Sequence, residues 1–203
     1  MNEDTVESSD LTETERHLLR SAGPYLTARD NNVHTRIALE FGFRLLETEA
    51  GDRNVVIPAI ILHDVGYSKV PPELLHRAYG PRAEEDVMRI HEREGAKIAA
   101  TILTEAGYEA AKAEKILEII DGHDTRKHAL SLNDQIVKDA DKLTRYSGYL
   151  WLRAGQFHTT IQELSVRLEE YAEQWFFLEA SRKIAKEELR LRREEAHREG
   201  HIL

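Results

Sequence analysis

Six side chains along this 203-residue chain could bind a metal between them: His34, His63, Asp64, His91, His123 and Asp141. Imidazole nitrogens and carboxylate oxygens together form a ligand set for first-row divalent ions such as manganese, iron and zinc. His63 and Asp64 are adjacent and follow the apolar run Val55-Val56-Ile57-Pro58-Ala59-Ile60-Ile61-Leu62. An unpaired carboxylate buried behind such a run is costly, and ligation removes that cost. A histidine on an amphipathic helix is more often an ordinary core or surface residue. His17, His76, His128, His158, His197 and His201 take the surface reading.

Each of the six falls in, or at the end of, a segment that reads as helix. Residues 1–10 are a polar, acidic lead-in, expected to be disordered. Leu11 to about Ser21 reads as a short helix closed by Gly23-Pro24. Asn31-Asn32 offers an N-cap for a helix to about Ala50, with Val33, Ile37, Phe41 and Leu45 at helical spacing. The branched run from Val55 has no evident partner strand and reads as a central buried helix that Gly66 can terminate. Pro71-Pro72 opens a short segment to Tyr79, broken by Gly80-Pro81. Helices then span about Glu84–Ala106 and Glu109–Asp121, the second stopping at Gly122 just before His123. Asn133 is the expected cap of the next, which carries Ile136, Val137, Ala140 and Leu143. From about Thr159 to Arg198 the chain reads as one long or once-broken helix with the stripe Leu164, Leu168, Tyr171, Trp175 and Leu178.

Composition narrows the class. Hydrophobic residues make up 41% and charged residues 32%, as in a globular protein with a highly charged surface. No apolar run approaches the roughly 20 residues a membrane span needs. Met1-Asn2-Glu3-Asp4 lacks the basic and apolar regions of a signal peptide, and cysteine is absent, so a cytoplasmic protein without disulfide or thiolate chemistry is expected. A net charge of -9 argues against general nucleic-acid binding. It leaves room for a small anionic substrate, because a bound divalent cation reverses the local potential.

His34, His63-Asp64 and Asp141 within Ala140-Asp141-Lys142-Leu143 resemble the four metal ligands of the HD-domain phosphohydrolase superfamily. His91 in His-Glu-Arg-Glu-Gly-Ala and His123 resemble the two additional histidines of its six-ligand, two-metal branch. The resemblance covers about residues 30–150. It implies an all-α, single-domain helical bundle of the HD type over residues 11–158. Residues 159–203 form a C-terminal helical extension, packed on the domain or on a dimer partner. The implied activity is metal-dependent cleavage of a phosphate ester or anhydride in a small phosphorylated metabolite or nucleotide. The implied cofactor is one or two divalent ions, iron, manganese, nickel or zinc, with magnesium as a further candidate. The alternative is a non-catalytic metal or nucleotide sensor that signals through the C-terminal helix.

On this reading His34, His63, Asp64 and Asp141 hold one ion, and Asp64 bridges to a second held by His91 and His123. Metal-activated water then attacks the phosphoryl group. Arg36, Lys69, Lys142 and Arg145 are candidate phosphate-neutralising cations by sequence proximity. Lys69 ranks first because related two-metal enzymes often place a lysine shortly after the His-Asp pair, although Gly66-Tyr67-Ser68 makes this spacing wide. Asp64 and Lys69 are the candidate catalytic residues. Asp139 and Asp141 project roughly 200° apart on a helix. The apolar stripe lies closer to Asp139, whereas the Ala-Asp-Lys-Leu context selects Asp141, leaving Asp139 as a supporting or alternative ligand. His123 has a second reading as a helix cap, and Asp124 as the next N-cap. Trp175-Phe176-Phe177 is expected in the core or at a dimer contact. The charged run Arg182–Arg198 is expected as a solvated face that projects or flanks a dimer contact.

Overall fold

The computed structural model describes residues 10–78, 83–152 and 159–198. The expected lead-in, the break at Gly80-Pro81, His158 and His201 lie outside these residues. The described part holds nine α-helices and no strand: α1 (Glu13–Ala22), α2 (Asn31–Leu46), α3 (Arg53–Leu62), α4 (Glu85–Glu105), α5 (Ala110–Ile120), α6 (Leu132–Leu143), α7 (Gly148–Leu152), α8 (Ile161–Gln174) and α9 (Glu179–Arg198). No described helix is long and apolar enough to cross a membrane.

Helix α3 is the axis of the bundle. Every residue from Val55 to Leu62 is buried, and α1, α2, α5 and α6 pack around it. Pro58 lies inside this helix and has no N–H to give the carbonyl one turn back. The Tyr108 hydroxyl donates to that orphaned Asn54 oxygen at 2.5 Å, so the proline is accommodated in a fully buried helix. Asp52 caps α3 through the Asn54 amide. Thr12 and Glu15 form a reciprocal capping box on α1, and Thr160 and Glu163 form another on α8. Each box contributes about 1 kcal/mol to its helix.

Two expected caps are corrected. Asp30, in left-handed conformation, precedes α2, and Ser131 caps α6 by accepting the Asp134 amide. Asn133 instead accepts the Asp52 amide, tying the start of α6 to the start of α3. Gly66 does not end a helix by left-handed geometry. It sits in the 3-10 turn Val65–Lys69, where a Cβ would lie 1.8 Å from the His91 carbonyl oxygen and 2.4 Å from the Gly95 nitrogen. Only glycine lets the chain after His63-Asp64 lie flat on α4.

The tail is once broken, at Trp175–Leu178, and α8 and α9 run antiparallel. Arg193 pairs with Glu169, and Lys186 with Glu173, across them. Arg182–Arg198 carries its expected ion pairs but does not project: Ala185 and Leu189 join the main core with Leu164, Leu168, Ala172, Phe176 and Leu178. Arg44 of α2 pairs with Glu188 at 2.5 Å, and the buried Tyr146 hydroxyl donates to the Leu168 carbonyl at 2.8 Å. The apolar stripe of α8 is thus satisfied within the chain itself.

Candidate metal centre

Five elements bring the ligand-type side chains together. His34 lies one turn into α2, while His63 and Asp64 follow the end of α3. His91 comes from α4, His123 from the turn after α5, and Asp141 from the last turn of α6. His34 Nε2 is 3.0 Å from Asp141 Oδ1 and 3.2 Å from His63 Nε2. The Asp64 carboxylate lies in the middle. Its Oδ2 is 3.6 Å from His34 Nε2 and 3.5 Å from His63 Nε2, while its Oδ1 is 3.6 Å from His123 Nε2. His123 Nε2 in turn lies 3.4 Å from His91 Nε2.

The turn after α5 also contributes a residue that sequence reasoning missed. Asp124 does not cap α6. Its Oδ2 is 3.4 Å from His91 Nε2 and 3.9 Å from His123 Nε2. Three overlapping groups result: His34, His63 and Asp141; His63, Asp64 and His123; His91, His123 and Asp124. In each, one ligand atom per residue lies within 4.8 Å of the others. The signal was present in the sequence, because His123-Asp124 repeats the His63-Asp64 dipeptide at a second helix end.

The imidazoles are oriented for ligation. His63 Nδ1 is 2.7 Å from the Ile60 carbonyl oxygen, and His123 Nδ1 is 2.9 Å from that of Ile120. A carbonyl only accepts, so each Nδ1 carries a proton and each Nε2 is the ring atom turned to the centre. Tyr67 stacks on the His91 ring at 4.1 Å between centroids and fixes its plane. Three carboxylates facing four imidazole Nε2 atoms fit a divalent cation, and with Asp64 in the middle they fit two.

The charges confirm how electron-rich the cluster is. Burial alone would raise the Asp64 carboxyl, but His63, His123 and His34 hold it well below the usual carboxylate range. Asp141 is likewise held low against burial, by Arg145 and His34. Burial opposes a charge on His123 as well, yet Asp124, Asp64 and Glu92 push its pKa up to about 10. His63 is pushed down by burial. Asp139 sits apart from this network, fully buried, with its two oxygens accepting the Phe177 and Leu178 amides at 3.1 and 2.9 Å. It anchors the bend between α8 and α9.

A cavity of about 210 Å³ opens beside Asp141, His123 and Asp124, with Lys142, Arg145 and the aromatic residues Trp175 and Phe177 on its walls. Lys142 Nζ donates to the Trp175 carbonyl at 2.8 Å and lies 4.8 Å from the Phe177 ring centre. Arg145 lies 5.4 Å from the Trp175 ring centre, with Tyr171 stacked on that ring at 3.9 Å. The structure does not bring Lys69 or Arg36 to this cavity. Both are exposed and neither is among its lining residues. His17, His76, His128 and His197 are exposed, as expected.

Comparison with known proteins agrees with this geometry. The HD domain family model matches residues 33–146, more than half of the chain, and the protein belongs to that family. Its members are generally metal-dependent hydrolases, and the His/Asp cluster described above lies within the matched residues. Among solved structures, the chain is similar to a predicted HD superfamily hydrolase from an uncultured Thermotogales bacterium. The identity is 21% and the TM-score 0.60, over 90% of this chain and 89% of that one. The shared fold therefore extends beyond the matched domain. No curated protein matches the chain.

Proposed function

We propose that the protein is a metal-dependent phosphohydrolase that cleaves a phosphate ester or anhydride in a small phosphorylated metabolite or nucleotide. The observation that carries this reading is the buried Asp64 carboxylate, whose two oxygens face different imidazoles within one series running from Asp141 to Asp124. On this reading His34, His63, Asp64 and Asp141 hold one divalent ion, and Asp64, His91, His123 and Asp124 hold a second. Such ions supply Lewis-acid polarisation of water and of the phosphoryl oxygens. Asp64 would be shared by the two and would orient both halves. Lys142 and Arg145, rather than Lys69 or Arg36, neutralise the phosphate, since both line the cavity next to Asp141. The Lys142 ammonium spends one donor on the Trp175 carbonyl and keeps the others for a phosphate oxygen. A cavity of about 210 Å³ suits a small phosphorylated headgroup.

The test is to load the purified protein with manganese, iron, nickel or magnesium and screen it against phosphorylated metabolites. Turnover should vanish in the double variant His63→Ala/Asp64→Ala together with nearly all bound metal. Arg145→Ala should keep its metal and lose roughly 10²-fold in kcat, as for a contact made to developing charge. Metal binding without turnover of any phosphorylated compound would favour the sensing alternative.

A further inference from the structure

The arm that carries His123 and Asp124 has no regular secondary structure, yet two buried charges of opposite sign hold it. Lys138 of α6 is 2% exposed, and its ammonium donates to three backbone carbonyls: Gly122 at 2.8 Å, His123 at 2.6 Å and Arg126 at 3.0 Å. These use all three of its donors. Glu92 of α4, next to His91, is fully buried and grips the other edge of the same turn. Its Oε1 accepts the Asp124 and Thr125 amides, each at 2.8 Å, and its Oε2 accepts the Thr125 hydroxyl at 2.8 Å. Arg89 closes the system by pairing with Glu92 at 2.5 Å and with Asp121 at 2.6 Å.

The arrangement is unusual for a turn that needs only to be folded. A buried ammonium whose three hydrogen bonds all go to backbone carbonyls is expensive, and neutral donors would satisfy the same oxygens at lower cost. What the charges add is direction. The cation draws the carbonyls of Gly122, His123 and Arg126 to one side, and the anion draws the amides of Asp124 and Thr125 to the other. The backbone between is fixed in both senses. Gly122, at φ 119°, is the residue that can enter this turn from α5. The side chains left facing the centre are those of His123 and Asp124.

We infer that Lys138 and Glu92 are positioning residues for the second half of the metal centre. They act through the backbone of the Gly122–Arg126 arm on His123 and Asp124, and not on His34, His63 or Asp141, which other elements carry. The inference rests on the metal-binding reading of the site, but it concerns the number of ions held and not the reaction.

Manganese is the probe, counted by equilibrium dialysis and titration calorimetry on the full chain. Wild-type protein should bind two equivalents. Lys138→Met and Glu92→Gln should bind the first with wild-type affinity and the second at least about tenfold more weakly, the range found when groups supporting a metal ligand are removed. Amide hydrogen exchange at Asp124 and Thr125 should accelerate in both variants while exchange within α3 stays unchanged. A role confined to folding would lower thermal stability and leave the manganese count at two. Should Lys138→Met not fold, Lys138→Arg keeps the charge but cannot converge on three carbonyls, and Thr125→Val removes only one grip on Glu92. The same selective weakening is expected of both. Two equivalents held normally in folded variants, equal weakening of both halves, or a wild-type protein that binds fewer than two ions would overturn the inference. A wild-type protein that holds two ions but hydrolyses nothing would defeat the hydrolase reading alone.

Discussion

Replacing Gly66 by alanine tests how tightly the centre depends on backbone packing. The added Cβ would stand 1.8 Å from the His91 carbonyl oxygen and 2.4 Å from the Gly95 nitrogen, and both are backbone atoms of α4 that no rotamer change can move. Ordinary contact for a Cβ begins near 3.4 Å, so the 3-10 turn and α4 must part by about 1.5 Å. Overpacking of this kind costs about 3 kcal/mol or somewhat more. For a chain of this size that corresponds to a drop in Tm of roughly 6–12 °C.

The effect on the metal should exceed the effect on the fold. Asp64 sits two residues before Gly66, while His91 supplies the very carbonyl that the methyl group meets. A metal site tolerates displacements of only about 0.2 Å. On the proposed two-ion reading, the half of the centre that uses both Asp64 and His91 should therefore lose its ion, and the His34, His63 and Asp141 half, which shares Asp64, should be weakened less. Gly23→Ala is the control, because a Cβ there meets nothing within 4 Å. Differential scanning calorimetry with elemental analysis measures both quantities. A Gly66→Ala protein with wild-type Tm and full metal content would refute the packing argument.

Metal affinity should depend on pH. Without metal, Asp124, Asp64 and Glu92 overcome burial and raise the His123 pKa from 6.5 to about 10, and ligation must displace that proton. Affinity should therefore rise with pH by about tenfold per unit for each proton released. The raised His123 stabilises the metal-free fold below its unfolded pKa of 6.5, and that contribution fades as pH climbs towards 10. Metal should accordingly raise Tm more at pH 9 than at pH 6, and an equal shift at both would contradict the charge assignment. Asp139→Asn should keep metal but lose about 1–3 kcal/mol, since the amide can accept only one of the Phe177 and Leu178 N–H groups. Asp141→Asn should do the reverse, and metal loss from Asp139→Asn alone would exchange their roles. A fragment ending at Gly155 should be insoluble, because Leu164, Leu168, Phe176, Leu178, Ala185 and Leu189 complete the core. A soluble, metallated fragment would make the tail a separate module.

Much of this was legible because helices and their ends leave local marks. The apolar periodicity, the glycine and proline breaks and the His-Asp pair announce the bundle and most of the cluster. What escaped the sequence depends on partners far along the chain. Periodicity correctly placed Asp139 with the apolar stripe of α6, but nothing local says that its carboxylate meets the amides of Phe177 and Leu178. Lys69 follows Asp64 closely in sequence, yet the 3-10 turn Val65–Lys69 leaves it exposed. The charge of Arg182–Arg198 concealed a narrow inner face of Ala185, Leu189 and Ala196.

Helix α6 and the turn that follows it connect these observations. Lys138, Asp141, Lys142 and Arg145 stand at i, i+3, i+4 and i+7, which is one face of a helix, and all four line the cavity. On that face Lys138 holds the arm of His123 and Asp124, Asp141 meets His34, and Arg145 lies beside Asp141. Asp139 leaves by the opposite side and fastens the bend carrying Trp175 and Phe177, which returns to the cavity as the wall behind Lys142 and Arg145. A stripe of charges at helical spacing through an otherwise buried helix is expensive to keep unless each charge meets a partner. Here the partners are the second ligand arm, the first ligand group and the tail. One helix and the turn after it therefore set Asp141, the cavity-lining cations Lys138, Lys142 and Arg145, and the contact to the cavity wall in a single frame. Helices α8 and α9 are fastened to that frame through Asp139 and Lys142 and are not merely appended to it.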